Sequence, residues 1–477
     1  MTVGVVAYGT YVPWWRLDRA TIAPAPGRGT RAVASYDEDA TSMGVEAARR
    51  ALASAPVDAT PRAVYFATTA PPYLDKTNAT AIHAALDLSP SVMAVDMVGS
   101  VRSAAGAWRA SIDAATAGRP ALAVLGDVRT GLPGGADERD GGDGAAALLF
   151  GAGESVLAEV LGAGSATAEF LDRWRIPGEW ASKVWEERFG EHAYVPLAEA
   201  AVADACKDAG ITPDAVHQTV VTGTHTRAVR RVARSIGVRP ETLVPDLTAG
   251  LGHTGVAHAS LVLADVLDRA DPDQLVLVVS LADGADAFVL RTTAAVATAR
   301  AARPPARTVA AQVADGRTGL RYDTFLTWRG MLRREPPRRP EPDRPAAPPS
   351  FRREAWKFAF VGSRCQACGT CQLPPQRVCV GCRAVDDMVR EPLADVRATV
   401  ATFTVDHLAY SQSPPVVAAV VDFDGGGRYQ CELTDVDPDT VAIGDRMEMT
   451  FRRLYSADGV HDYFWKARPV RDDEGRQ

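Results

Sequence analysis

The sequence predicts an α/β protein: a duplicated body followed by a small zinc ribbon and an all-β barrel of the OB type. Three observations carry this. Residues 1–295 run twice through one plan of helices and apolar strands. Only Cys206 lies in the first 364 residues, and the other six cysteines lie in the last 113. Five short alternating stretches with Gly-rich turns follow the cysteine cluster.

Composition sets the frame. The chain has 477 residues, 47% hydrophobic and 23% charged, as expected of a globular protein of several domains. A net charge of −7 argues against a nucleic-acid binder held by a global positive field. No stretch approaches the roughly 18 apolar residues a membrane span needs. The start, MTVGVVAYGTYVP, lacks the basic region of a signal peptide. A cytoplasmic protein without a membrane partner is expected. Disulfide scaffolds are short and cysteine-dense, so the clustered cysteines read as a metal module.

In the body, MGVEAARRALASAPVDATPRAVYFATT (43–69) shares its plan with LAEAAVADACKDAGITPDAVHQTVVTG (197–223). Each is an amphipathic helix, a Pro-bearing loop and an apolar strand. Residues 100–127 match 251–280, where a Gly- and Ser-rich turn opens a small-residue helix before a buried strand. Each half then ends in another apolar strand, 141–151 and 281–291. Two copies of this order predict two half-domains related by a pseudo-twofold. Helix N-termini offer free N–H groups suited to an oxyanion, which places the candidate active site at Asp96–Ser103 and Leu251–Gly255. The plainer alternative is that these glycines and serines only cap helices.

Between Pro336 and Pro349 seven of fourteen residues are proline, which predicts an extended linker without helix or sheet. The expected domains are 1–165 and 166–320 for the two halves, 321–355 for the linker, 356–390 for the zinc ribbon and 391–477 for the barrel.

Cys365-x2-Cys368 and Cys379-x2-Cys382, ten residues apart, have the spacing of a structural zinc site. Cys371 forms a rival pair with Cys368. Gly369 suits the tight turn after Cys368 and favours Cys365, Cys368, Cys379 and Cys382 as ligands. The barrel strands are expected at 399–407, 415–423, 428–436, 445–454 and 461–470. Phe403, Tyr429, Phe451 and Phe464 could stack bases of a single strand, a reading its acidic residues weaken.

The duplicated body, with VGVVAYGTYVP, the acidic box Asp37-Glu38-Asp39 before Thr41-Ser42-Met43, and FLDRWRIPGEW (170–180), resembles the thiolase superfamily. The nearest groups are 3-hydroxy-3-methylglutaryl-CoA synthase and ketoacyl synthase III. The resemblance implies an α/β/α/β/α layered fold, a homodimer, and an acyl-CoA or acyl-carrier thioester as substrate. The cysteine motif with Pro374-Pro375 and the barrel are similar to domains that accompany thiolase-like enzymes.

Departures from that family shape the expected chemistry. The family's nucleophilic cysteine, five residues after Asp96, falls at Val101. Its histidine falls at Thr222 and its asparagine at His253, while its glutamate, expected near Ala70, is missing. Cys206 sits mid-helix and reads as packing. The resemblance therefore implies a cysteine-independent enzyme performing aldol or retro-aldol C–C chemistry, or acyl transfer. His253 is the first candidate for electrophile or acid/base, and His225 the second. Ser100 and Ser103 are candidate nucleophiles, Ser100 being activated by His253, and Tyr73 is a candidate proton donor. Arg227, Arg230, Arg231 and Arg234 share a helix face; the first three are candidates for CoA phosphates, against a merely solvated basic face. The other readings are a non-catalytic acyl-CoA-binding scaffold and a single-strand-binding OB/zinc module.

Overall fold

The computed structural model describes residues 2–24, 26–336, 340 and 342–471. It divides into two compact units. The first is Met1–Ser35, Asp39–Thr80 and Pro90–Phe325; the second is Tyr36–Glu38, Ala81–Ser89 and Leu326–Gln477.

The duplication is visible in the strand order of the first unit. In its first half, Ala63–Thr68 runs parallel to Ala121–Asp127. That strand pairs antiparallel with Gly144–Ala152, which pairs antiparallel with Val3–Tyr11. In its second half, Gln218–Gly223 runs parallel to Leu275–Leu281. This pairs antiparallel with Gly284–Thr292, which in turn pairs antiparallel with Ala158–Thr167. Met93–Val98 adds a fifth strand to the first half only. Two residue pairs, Gly4–Glu159 and Val5–Ala158, join the half-sheets into one nine-stranded sheet.

The small-residue helices predicted after each Gly-rich turn are Ser103–Thr116 and His258–Leu267. The latter is buried on nearly every side, as its apolar sequence requires. Trp108 joins the two helices. Its indole N–H donates to Ser260 Oγ at 3.1 Å, and its ring lies 5.2 Å from that of Phe288. A large aromatic with a satisfied polar tip thus fills the space between the halves.

In the second unit, Cys371–Gln372, Val361–Cys365 and Met388–Pro392 form a three-stranded sheet. Five strands follow, Ala398–Asp406, Val416–Phe423, Arg428–Glu432, Arg446–Ala457 and Val460–Pro469. They form one sheet, and the Thr434 N–H donates to the Ala467 carbonyl at 2.9 Å, bringing the end strands together as a barrel. A buried ionic group lies on the face of these strands opposite Phe451. Arg452 contacts Glu38 and Asp435 at 2.6 Å each, and Lys466 reaches Asp37 at 3.0 Å.

Two expectations change. Phe451 is fully buried in the barrel core and cannot stack a base. Tyr429 and Phe464 pack against Trp356 instead of standing as open platforms. The stretch 336–349 is not wholly extended, because a helix begins at Ala347 and runs to Arg352. Pro348 and Pro349 lie in its first turn, where a missing N–H is harmless. Residues 337–339 and 341 of that linker lie outside the described residues. Among the described residues no helix is long and apolar enough to cross a membrane.

Candidate functional site

A cavity of about 290 Å³ opens in the first unit, with His253, His258 and Thr222 in its wall. His253 lies between the short helix Thr248–Leu251 and the turn Gly255–Ala257. Its backbone is strapped to the other half of the repeat: the His253 N–H donates to the Asp140 carbonyl at 2.9 Å, and the Gly142 N–H to the His253 carbonyl at 3.1 Å.

Hydrogen bonding fixes the imidazole tautomer. The Gly255 N–H donates to Nδ1 of His253 at 3.2 Å, so the proton of the neutral ring sits on Nε2, 3.3 Å from Thr222 Oγ1. Burial, then His258, Arg129 and Arg173, hold His253 well below the usual histidine range. His258 stacks on it with centroids 4.2 Å apart, and its own Nδ1 accepts the Thr254 N–H at 3.2 Å. Burial pulls His258 down to about 4. The stacked pair is therefore neutral at pH 7, and His253 presents an N–H donor. Such a group polarises a carbonyl or stabilises an enolate without first losing a proton.

Asp127 positions the turn beneath His253. Its carboxylate accepts from Thr68 Oγ1, from both N–H and Oγ1 of Thr69, and from the Val256 N–H at 2.9 Å. Gly255 lies against it with a φ of +59°, and a Cβ there would come within 1.8 Å of Asp127 Oδ2.

Charge dominates the remaining wall. Arg19, Arg129, Arg173 and Arg230 line the cavity, with Asp137, Asp140 and Asp246. Arg173 pairs with Asp137 through both terminal nitrogens, and Asp140 is held by Arg139 at 2.7 and 2.9 Å. Arg173 belongs to the aromatic segment singled out from the sequence. No pattern in the sequence marked Arg19, Arg129 or Asp246.

Of the other sequence candidates, Arg230 reaches this wall and the rest lie outside it. His225 is the N-cap of the helix Thr226–Ser235, its Nδ1 accepting the Ala228 N–H at 3.0 Å. It is buried with its Nε2 3.9 Å from Asp172. Ser100 Oγ accepts the Arg102 N–H at 3.2 Å, a local turn bond. The structure does not bring Ser100 to His253, whose ring nitrogens meet Gly255 and Thr222. Ser103 begins its helix. Tyr73 has its backbone tied to Asn78, which Asp96 anchors in turn. Of the helix-face arginines, Arg230 reaches the cavity, Arg227 lies 3.4 Å from Glu191, and Arg231 is exposed. Cys206 is buried on the helix Glu187–Ala209, where burial pushes its thiol up.

In the second unit, the Sγ atoms of Cys365, Cys368, Cys379 and Cys382 all lie within 4.8 Å of one another. Two of the separations are 3.5 and 3.6 Å. Ligands about 2.3 Å from a tetrahedral ion stand about 3.8 Å apart, so the four thiols fit one metal. The Gly381 and Cys382 N–H groups donate to Cys379 Sγ, as in a metal-binding knuckle. Cys371 is outside this group.

Comparison with known proteins is consistent over both units. The chain is 32% identical over 320 residues to the hydroxymethylglutaryl-CoA synthase of Aeropyrum pernix, covering 64% of this chain and 89% of that protein. It belongs to the hydroxymethylglutaryl-CoA synthase family. The chain is thus an enzyme of the thiolase superfamily. A structure of HMG-CoA synthase complexed with CoA superimposes with a TM-score of 0.59 at 14% identity, covering 68% of this chain and 89% of that one. The HMG synthase of the curacin biosynthetic pathway, in complex with holo donor-ACP, gives 0.58 at 18% identity, covering 69% and 88%. Residues 391–452 match the family of the ChsH2 C-terminal OB-fold domain.

Among the described residues no cysteine lines this cavity, and Thr222 stands hydrogen-bonded to His253.

Proposed function

We propose that the enzyme acts on an acyl-CoA or acyl-carrier thioester by aldol or retro-aldol chemistry, or by acyl transfer, without an acyl-cysteine. The observation that carries this reading is the Nε2–H of His253 in a cavity that no cysteine lines. In the cleavage direction a 3-hydroxyl loses its proton, the C2–C3 bond breaks, and its electron pair moves onto the thioester oxygen. His253 donates to that oxygen, and C2 is then protonated. Of the three carboxylates in the wall, Asp246 has no arginine partner among the described residues and is the acceptor we favour for the hydroxyl proton. Acyl-CoA-binding and carrier-bound relatives support the substrate class.

Several further readings accompany this one. The four cysteines hold a structural Zn²⁺. Arg227, Arg230 and Arg231, on one helix, hold CoA phosphates, Arg230 from the cavity wall. A homodimer is supported by the edge strand Met93–Val98, where Met93, Val95 and Val98 stand 51%, 37% and 50% exposed. Seven cysteines, none in a disulfide, support a cytoplasmic setting. We keep 165, 320, 355 and 390 as working domain boundaries.

The test is His253→Ala. Loss of turnover with acyl-CoA binding retained supports the reading. A wild-type enzyme that turns over no thioester would sink it and leave the scaffold. Mass spectrometry after incubation with acyl-CoA detects an adduct on Ser100 or Ser103 if a covalent route operates.

A further inference from the structure

The cavity wall takes Arg129, Asp137, Asp140 and Gly141 from one segment, 129–141. That segment also holds His253, whose N–H donates to the Asp140 carbonyl. Whatever fixes the segment therefore bears on where the imidazole stands.

Its inner part is the five-residue helix Ala136–Asp140. Asp137 and Asp140, three positions apart, share the side toward the cavity, while Glu138 is turned away from it and is 2% exposed. So short a helix has too few internal bonds to hold itself, and outside contacts set its place. The Glu138 carboxylate accepts the Tyr322 hydroxyl at 2.8 Å and the Gly134 N–H at 2.7 Å. The Tyr322 oxygen shares that same N–H at 3.0 Å. Arg31, fully buried, donates to the carbonyls of Glu138 and Arg129 and to Asp143. Phe325, one turn after Tyr322, lies 4.9 Å from that guanidinium.

Tyr322 is the one side chain on the Glu138 carboxylate among the described residues. It opens the helix Tyr322–Trp328, in a stretch expected from the sequence to be linker. A hydroxyl donating to a carboxylate makes a charge-assisted bond, stronger than one between neutral groups. Burial and Glu138 push the Tyr322 hydroxyl up to about 12, so it keeps its proton near neutral pH.

We infer that Tyr322 is a positioning residue of the active site: through Glu138 it holds the helix Ala136–Asp140 and, through the Asp140 carbonyl, the backbone of His253. It touches no reacting group itself. The inference deepens the thioester reading above, and its kinetic test rests on that reading.

The experiment takes two readouts from the full chain. One is turnover of acyl-CoA; the other is the pH titration of the His253 Cε1–H signal in histidine-labelled protein, assigned by its loss in His253→Ala. In wild type, burial, His258, Arg129 and Arg173 should keep His253 neutral well below the usual histidine range. Tyr322→Phe should lower kcat roughly tenfold to a hundredfold with KM within about twofold, because a displaced donor fails the transition state more than the bound thioester. The His253 titration should move up as water enters past a loosened wall. Glu138→Gln keeps the shape, exchanges the charge-assisted bond for a neutral one, and should move both readouts the same way by less. It also serves as the test if Tyr322→Phe does not fold. The double variant should lose no more than Tyr322→Phe alone.

A lower melting temperature in Tyr322→Phe with wild-type kcat and wild-type His253 titration overturns the inference, since Tyr322 would then only pack. Additive losses in the double variant overturn the route through Glu138. If wild type turns over no thioester but the His253 titration moves in Tyr322→Phe, the positioning stands and the thioester reading fails. Without turnover and without that movement, both fall.

Discussion

The carboxylate of Asp127, at the end of a strand in the first half of the repeat, accepts the backbone N–H of Val256 in the second half at 2.9 Å. With the two backbone bonds that strap His253 to residues 140–142, this bond ties the halves together at the turn that aims His253. Asp127→Ala removes the acceptor for four buried donors and should cost on the order of 3 kcal/mol of stability. Gly255→Ala places a methyl group against that carboxylate at a φ of +59°, and should lower turnover more than it lowers the melting temperature. Denaturant melts together with steady-state kinetics check both; unchanged turnover in Gly255→Ala would show that the turn does not position His253.

Acid should destabilise the first unit before carboxylates titrate. His258 has a folded value of about 4 against an unfolded value near 6.5. Between those values the unfolded chain binds more protons, so stability is full above about pH 6.5 and falls as pH drops toward 4. The contribution is roughly 3 kcal/mol for His258, and His253 shifts in the same direction. His258→Gln should flatten the slope of stability against pH over that window; an unchanged slope would contradict the assignment.

His225 behaves in this structure as a cap. His225→Ala should lower stability by about 1 kcal/mol, as loss of an N-cap does, while leaving kcat near wild type. A hundredfold fall in kcat at unchanged melting temperature would restore it as a catalytic group. Gly190→Ala is a second probe, since a Cβ there would sit 2.4 Å from Asp172 and 2.6 Å from His225 Nε2.

Metal content distinguishes the cysteines. One zinc per chain is expected by elemental analysis, lost in Cys365→Ser and kept in Cys371→Ser. Chelation should lower the melting temperature of the second unit, because a four-thiolate site contributes directly to folding. Retention of zinc by Cys365→Ser would reassign the ligand set.

The elements whose periodicity is long or repeated were legible in the chain. The repeat of 43–69 at 197–223 appears as matching helices and parallel strands, and Cys365 to Cys382 close as their spacing requires. The place of His253 in the cavity wall was legible because it stands in a Gly-rich turn opening a predicted helix. Arg19 was not, since it lies in a three-residue turn whose approach to Thr248 depends on contacts across 229 positions. The roles of His225 and Ser100 are not separable from local sequence for a related reason. A residue that caps a helix and one that serves chemistry at its N-terminus carry the same local signature, and only their partners separate them. Phe451 and Phe403 likewise alternate along strands, and only closure of the barrel decides which ring is enclosed.

The sheet of the first unit ends differently on its two sides. At one end Thr219 is bridged to Leu243, and the Val244 N–H donates to the Thr219 carbonyl, so that margin is already covered. At the other, Met93–Val98 pairs on a single side. A sheet that can grow in one direction only adds one neighbour and stops. The extra strand in a single half of the duplication thus breaks the internal symmetry and gives the two margins of the sheet different pairing capacity.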